Sequence, residues 1–213
     1  MQAGQNFYQR CADKLGFKQL FGPVPKWVNW LYCFGGLTFI VFLLQVLSGI
    51  YLAMFFQATP ADAWTSIEFI EKNVRMGGFC RSLHRWGALI MVLFLIIHVL
   101  RILYHGAYRS PRGLNWISGV ALLLLTLAFA ATGYLLPWDF RSYWTVKTIG
   151  NWLENLPLFA DALKWLLFSD APDGVVPVGR WFSIHAIVLP ALTGVFLVGH
   201  FLMVRRLGVA KPM

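Results

Sequence analysis

Five histidines stand at positions 84, 98, 105, 185 and 200. His84 and His98 are 14 residues apart, and His185 and His200 are 15 apart. Four turns of α-helix take about 14.4 residues, so in a helix each pair lies on roughly one face. The rise between partners is then about 21–22 Å at ~1.5 Å per residue. Both pairs sit in long apolar stretches, where an ionisable residue usually faces the interior of a bundle. A single such histidine is as often a helix–helix hydrogen bond as a ligand. Four of them in two pairs point to ligand chemistry at two levels. His105 follows the first pair in a basic loop and reads as an ordinary surface residue.

The elements that must hold these histidines are membrane spans. The 213 residues are 58% hydrophobic and 13% charged, against roughly 25% charged in an average soluble domain. That leaves too little polar surface to coat a soluble globule. Three cysteines exclude a disulfide scaffold, and 16% aromatic residues exclude a disordered chain. A span needs about 20 predominantly apolar residues. Four stretches qualify, over approximately 31–56, 79–104, 114–136 and 180–204. The fold class is therefore all-α: an integral membrane four-helix bundle forming a single domain over 1–213. Residues 1–26 carry Arg10, Asp13, Lys14, Lys18 and Lys26, read as an amphipathic surface piece without a cleavable signal. The loop 57–78 contains Asp62, Trp64, Glu68 and Glu71. The longer loop 139–180 contains Trp144, Trp152 and Trp165, which suggests short interfacial helices. Loops of that length are more often functional than idle.

Net charge is +9, from 18 Lys+Arg and 9 Asp+Glu. Four spans put both termini on one side. That side also carries the loop around 101–115, and it collects Arg10, Lys14, Lys18, Lys26, Arg101, Arg109, Arg112, Arg205, Arg206 and Lys211 against Asp13 alone. The opposite side balances to zero. By the positive-inside rule the side of the termini is cytoplasmic. The basic excess is thus an orientation signal, and nucleic-acid binding loses its main support.

With one span between them, the second and fourth spans run parallel. His84 then meets His185 at an outer level, and His98 meets His200 at an inner one. Two facing imidazoles at each level suit a six-coordinate metal whose other four ligands come from a planar macrocycle, as in haem. Structural zinc wants four protein ligands close together. A proton relay usually includes Asp or Glu, which the four apolar cores lack. Gly35 and Gly49 in the first span are 14 apart, as are Gly119 and Gly133 in the third. Close helix packing explains glycines of this kind. Here, however, both pairs fall at the two histidine levels, where a haem edge needs room. Arg81, Arg85, Arg101, Arg180 and Arg205 stand near the levels. They suit haem propionates as well as they suit interface anchoring.

Five stretches carry a family resemblance: PVPKWVNWLYCFGGLTF (23–39), RSLHRWGALIMVLFLIIHVLR (81–101), GAYRSPRGLNWISGV (106–120), TGYLLPWD (132–139) and GRWFSIHAIVLP…GHFLMVRR (179–206). In them the sequence resembles the cytochrome b6 family, the haem-bearing subunits of cytochrome b6f complexes, and their short relatives in bacterial menaquinol–cytochrome c reductases. The likeness covers nearly the whole chain, and the 140–178 loop is its least distinctive part. The 15-residue spacing of the second pair matches the b6 branch, as does the length.

The resemblance implies haem b on His84 and His185 near the positive side, and a second haem b on His98 and His200 near the negative side. It implies a third, c-type haem attached through one thioether at Cys33, in YCFGG. Cys33 without the resemblance would be a small buried hydrophobe, and Cys11 and Cys80 match no role. The implied activity is quinol oxidation at the outer face near TGYLLPWD. One electron would go to a Rieske iron–sulfur protein and the other across the membrane to a quinone on the cytoplasmic side, with proton translocation. Implied partners are a separate subunit resembling the C-terminal half of long cytochromes b (subunit IV type), the Rieske protein and a cytochrome c or f type subunit, in a dimeric complex. The expected location is a bacterial plasma membrane or a thylakoid. A dihaem anchor of a hydrogenase or formate dehydrogenase would share the bis-histidine helices but gives no reason for YCFGG and PWD. A non-redox transporter or scaffold would show broken helices or intramembrane acids, and only Pro190 hints at the former.

Overall fold

A computed structural model of the protein describes residues 28–155 and 178–210, with positions 161, 165 and 167 between them. All regular structure among the described residues is helical. In chain order the helices are α1 (Phe34–Ala53), α2 (Ala63–Asn73), α3 (Gly77–Tyr104), α4 (Gly113–Leu135), α5 (Phe140–Glu154) and α6 (Val178–Leu207). A 3₁₀ turn, Trp30–Cys33, leads into α1. Helices α1, α3, α4 and α6 are the four membrane spans. In a lipid core a single segment satisfies its backbone groups only as a helix, and the apolar runs are long enough to let it.

The ends of the spans differ from the sequence expectation for local reasons. The apolar run of the first span continues to Phe56, but α1 stops at Ala53. The amides of Phe55 and Phe56 both turn back to the Leu52 carbonyl, at 3.1 and 3.0 Å, and the chain leaves towards Pro60. Helix α3 begins at Gly77 rather than near 79, because Met76 adopts a left-handed conformation (φ 60°) that turns the chain out of α2. A Cβ on Gly77 would lie 2.0 Å from the Ile70 carbonyl oxygen, so only glycine permits this crossing. Helix α6 extends beyond 180–204 at both ends.

Helix α2 replaces what the sequence presented as a loop. Ala63, Ser66, Ile67 and Ile70 are buried at i, i+3, i+4 and i+7, the spacing of one helical face, and α2 packs on α3. Helix α5 is an interfacial helix of the kind expected after 139. The Asp139 carboxylate caps it, accepting from the Ser142 amide and hydroxyl, both at 2.8 Å. Leu135, Val146 and Trp181 form a small core that seats α5 between α4 and α6. The amphipathic piece expected over 1–26 lies outside the described residues, as does most of the 156–177 stretch.

The spans associate as two pairs, α1 along α3 and α4 along α6. Their inner ends are tied by polar contacts. Arg112 donates to the Leu207 and Gly208 carbonyls at 2.9 and 2.8 Å, a cation at the C-terminus of α6. The Tyr32 hydroxyl donates to the Ala210 carbonyl at 3.3 Å. Large apolar side chains such as Leu47, Ile50, Leu89, Leu124 and Val195 point outward, as lipid-facing positions should.

Candidate haem-binding sites

At the outer level the His84 and His185 rings face each other across the two helix pairs, with centroids 6.3 Å apart and planes at 70°. Two metal–nitrogen bonds of about 2.0 Å plus two ring radii span that separation. At the inner level His98 lies against Gly35 of α1 and His200 against Gly119 of α4. The same order of histidines along α3 and α6 makes these two spans parallel.

The 15-residue spacing in α6 has a structural cause. Residues Ile184–Val188 form a π turn, in which the Leu189 amide bonds to the Ile184 carbonyl five residues back. Pro190 follows directly. A proline has no amide proton, and its ring clashes with the carbonyl four residues before it. A wider turn at that point relieves both problems. The π turn absorbs one residue without rotating the rest of the helix. His185 and His200 therefore keep the phase that His84 and His98 have at a spacing of 14.

Each ring lies against one of the four glycines. A Cβ on Gly133 would meet His185 Cε1 at 2.8 Å, on Gly35 His98 Cε1 at 2.9 Å, on Gly49 His84 Cε1 at 3.2 Å and on Gly119 His200 Cε1 at 3.4 Å. The glycines thus do stand at the histidine levels. The room they leave is taken by the imidazoles themselves, which fixes how far each ring can lean.

The residues just before three of these glycines were missed by sequence reasoning. Ser48, Thr132 and Ser118 hydroxyls lie 2.9 Å from Nδ1 of His84, His185 and His200 respectively. Each hydroxyl also donates its one proton to a carbonyl of its own helix: Ser48 to Leu44 and Thr132 to Ala128, both at 2.7 Å, and Ser118 to Asn115 at 2.8 Å. Its oxygen must then accept from the ring, so Nδ1 carries the hydrogen and Nε2 keeps its lone pair. An imidazole held in that tautomer by a partner on its other nitrogen is what a metal ligand requires. The signal was present as a hydroxyl–glycine dipeptide recurring at 48–49, 118–119 and 132–133. The fourth place has Phe34 before Gly35, and His98 Nδ1 is buried without a hydrogen-bond partner. Among the described residues no group of three His, Cys, Asp or Glu could hold a bare metal ion. The donors are two imidazoles at each level, which fits a macrocycle-borne iron.

The arginines diverge. Arg81 pairs with Glu71 of α2, so that carboxylate already engages it, while Arg85 is exposed. Arg180 donates to the Trp165 carbonyl and lies 5.8 Å over its ring. At the inner end Arg101 is only 8% exposed, with its guanidinium 3.4 Å over the Tyr32 ring and Nε and Nη2 without a hydrogen bond. Arg205 is half-buried one turn past His200. His105 corrects the sequence reading: it is buried, not on the surface. Its Nδ1 lies 3.0 Å from the Arg101 carbonyl, and its ring meets Tyr32 and Tyr104 edge-on at 5.6 and 5.2 Å. Cys33 is exposed at the inner end of α1, two residues before Gly35.

Comparison with known proteins agrees with this geometry. The family model for cytochrome b/b6/petB matches residues 20–208. The chain is 40% identical to cytochrome b6 of Porphyra purpurea, over 96% of this chain and 94% of that one. It is 42% identical to cytochrome b6 of Gracilaria tenuistipitata var. liui with the same coverage. It is 40% identical to cytochrome b6 of Synechococcus sp. (strain JA-3-3Ab), over 89% and 88%. A solved hyperthermophilic respiratory Complex III superposes with a TM-score of 0.82 at 27% identity; the match covers 96% of this chain and 55% of that structure's chain. With four membrane helices, paired histidines at two levels and these relatives, the chain belongs to the cytochrome b/b6 family of b6f/bc-type quinol oxidoreductases.

Proposed function

We propose that His84 and His185 ligate one b-type haem at the outer level and that His98 and His200 ligate a second at the inner level, each through Nε2. The observation that carries this reading is the hydroxyl at three of the four Nδ1 atoms, which directs the other nitrogen away from the helix. Bound there, the haems supply one-electron storage at two depths of the membrane. The chain's own residues do the rest. Ser48, Thr132 and Ser118 hold the tautomer, and the four glycines set the approach of the rings. Apolar side chains keep water from the space between α1/α3 and α4/α6. Arg101, with donors unspent at the inner end, suits a propionate, and so does Arg205. Arg85 is the better placed of the two outer arginines, since Arg81 is held by Glu71.

The exposed thiol of Cys33, at the inner level, suits thioether attachment of a third haem. Quinol is the electron source at the outer face, near the α4–α5 corner, and a quinone is reduced at the inner face. Both termini lie on the cytoplasmic side, in a bacterial plasma membrane or a thylakoid. Partners are a subunit IV type protein, a Rieske protein and a cytochrome c or f type subunit, in a dimer.

Single replacement of His98 or His200 by alanine tests the ligand assignment. Each variant should lose one reducible b-haem and keep the other in difference spectra. Full b-haem content in both variants would overturn the pairing.

A further inference from the structure

Three glycines stand in α1. Gly35 and Gly49 lie against His98 and His84. Gly36 has no such neighbour: a Cβ there would meet no atom within 4 Å among the described residues. Glycine inside a helix costs about 1 kcal/mol relative to alanine, and on an outward face it also forgoes the contact a side chain would make with lipid. Counting from Cys33, Gly36, Leu37 and Ile40 stand at i+3, i+4 and i+7, one helical face, and Trp30 stands at i−3. All five are exposed. Phe34 and Gly35, between them in the chain, face the other way, against Phe94 and His98. The thiol of Cys33 and the bare position 36 are therefore neighbours on the outward side of α1, one turn apart.

A helical side chain leans towards the N-terminus and covers the turn before its own Cα. A side chain at 36 would therefore lie over position 33 and cover the thiol. We propose that Gly36 is a specificity-determining residue for the third haem: it leaves α1 bare beside Cys33, so that the macrocycle can lie on the helix while its edge is tied to Sγ. This rests on the attachment at Cys33 proposed above and names what the chain must provide beyond the thiol. Trp30, Leu37 and Ile40 offer apolar surface around the bare patch. A second observation points to a carboxylate-bearing ligand at the same end of α1. The buried guanidinium of Arg101 lies 3.4 Å over the ring of Tyr32, the residue before Cys33, with Nε and Nη2 lacking a hydrogen bond. Those two donors form one edge of the guanidinium, and such an edge meets a carboxylate side-on. The attachment itself is an addition across a vinyl group. The Cys33 S–H bond breaks, Sγ bonds to the vinyl carbon next to the ring, the hydrogen goes to the terminal carbon, and the double bond becomes single. Nothing leaves, and no oxidant or reductant is consumed.

The test is haem-peroxidase staining of the purified complex after denaturing electrophoresis, with b-haem content read from difference spectra before denaturation. Gly36→Leu should abolish the stain near 24 kDa and leave both b-haems, because position 36 faces away from the imidazoles. Gly36→Ala introduces a better helix former, so the fold is not weakened. Its methyl over the thiol should still lower the stain per chain by about fivefold, the low end of what overpacking costs. Gly194→Leu on α6 is the control for added bulk, since a Cβ there also meets no atom within 4 Å among the described residues; it should leave the stain unchanged. If Gly36→Leu does not accumulate, Gly36→Ala decides. Full stain in the Gly36 variants would overturn the inference and would mean that lipid or another polypeptide covers this face. Equal loss of stain in Gly194→Leu would overturn it too, because bulk at any outward position would then suffice. No stain in the unaltered protein would instead overturn the attachment at Cys33, so the two failures are distinguishable.

Discussion

Replacing each of the four glycines by alanine should weaken haem binding in an order set by the contacts of the added methyl. At Gly119 the methyl would lie 3.4 Å from His200 Cε1, ordinary van der Waals contact. That variant should keep both haems, and the helix gains up to about 1 kcal/mol from the better helix former. At Gly133 the methyl would lie 2.8 Å from His185 Cε1, and the ring cannot simply swing aside because Thr132 holds its Nδ1 at 2.9 Å. Overpacking of this kind costs about 1–3 kcal/mol, or about 5- to 150-fold in affinity. At Gly35 the contact is nearly as close, 2.9 Å to His98 Cε1, but no hydroxyl anchors that ring. It can tilt, so Gly35→Ala should cost less than Gly133→Ala. Gly49→Ala, at 3.2 Å, should be mild. The assay is b-haem per polypeptide by pyridine haemochrome after detergent purification, with difference spectra showing which haem is lost. Gly133→Ala should deplete the outer haem and Gly35→Ala the inner. Equal loss in Gly119→Ala and Gly133→Ala would refute the reasoning, because the methyl contacts would then not govern ring placement.

Two more outcomes are expected. Haem-peroxidase staining after denaturing electrophoresis should show a band near 24 kDa that disappears in Cys33→Ser; no stain in the intact protein would refute covalent attachment. A single reactive cysteine placed at the C-terminus, in a background lacking the native three, should react with a membrane-impermeant maleimide only after the cells are opened; labelling of intact cells would reverse the proposed orientation.

The spans, the levels and the four histidines were legible because lipid imposes one period on everything that crosses it. A 14-residue recurrence of His84 and His98, or of Gly119 and Gly133, survives as alignment in space when the segment is straight. The hydroxyls escaped notice because the role of Ser48 exists only with His84, 36 residues on and on another helix. The burial of His105 depends on Tyr32, brought alongside by the pairing of α1 with α3. Helix α2 could have been read from Ala63, Ile67 and Ile70, but Asp62, Glu68, Glu71 and Lys72 gave the stretch the look of a solvated loop. The ends of the spans were least legible. Apolar residues such as Met54 and Phe55 continue past the point where backbone bonding stops, and hydrophobicity does not report that point.

The π turn at Ile184–Val188 shows how such a scaffold tolerates change in length. Along a regular helix every inserted residue swings all that follows by about 100°. Within this turn an extra residue is swallowed as a local bulge, and the segment Leu189–Leu207 keeps its heading. Span α6 is therefore insulated: its two ends hold a common azimuth although the count between them has drifted by one. A chain built this way can gain or lose a residue beside Pro190 in the course of divergence while both imidazole levels stay in register. Members of such a lineage would then differ in histidine spacing without differing in architecture, and the number 15 is better understood as 14 plus a buffer.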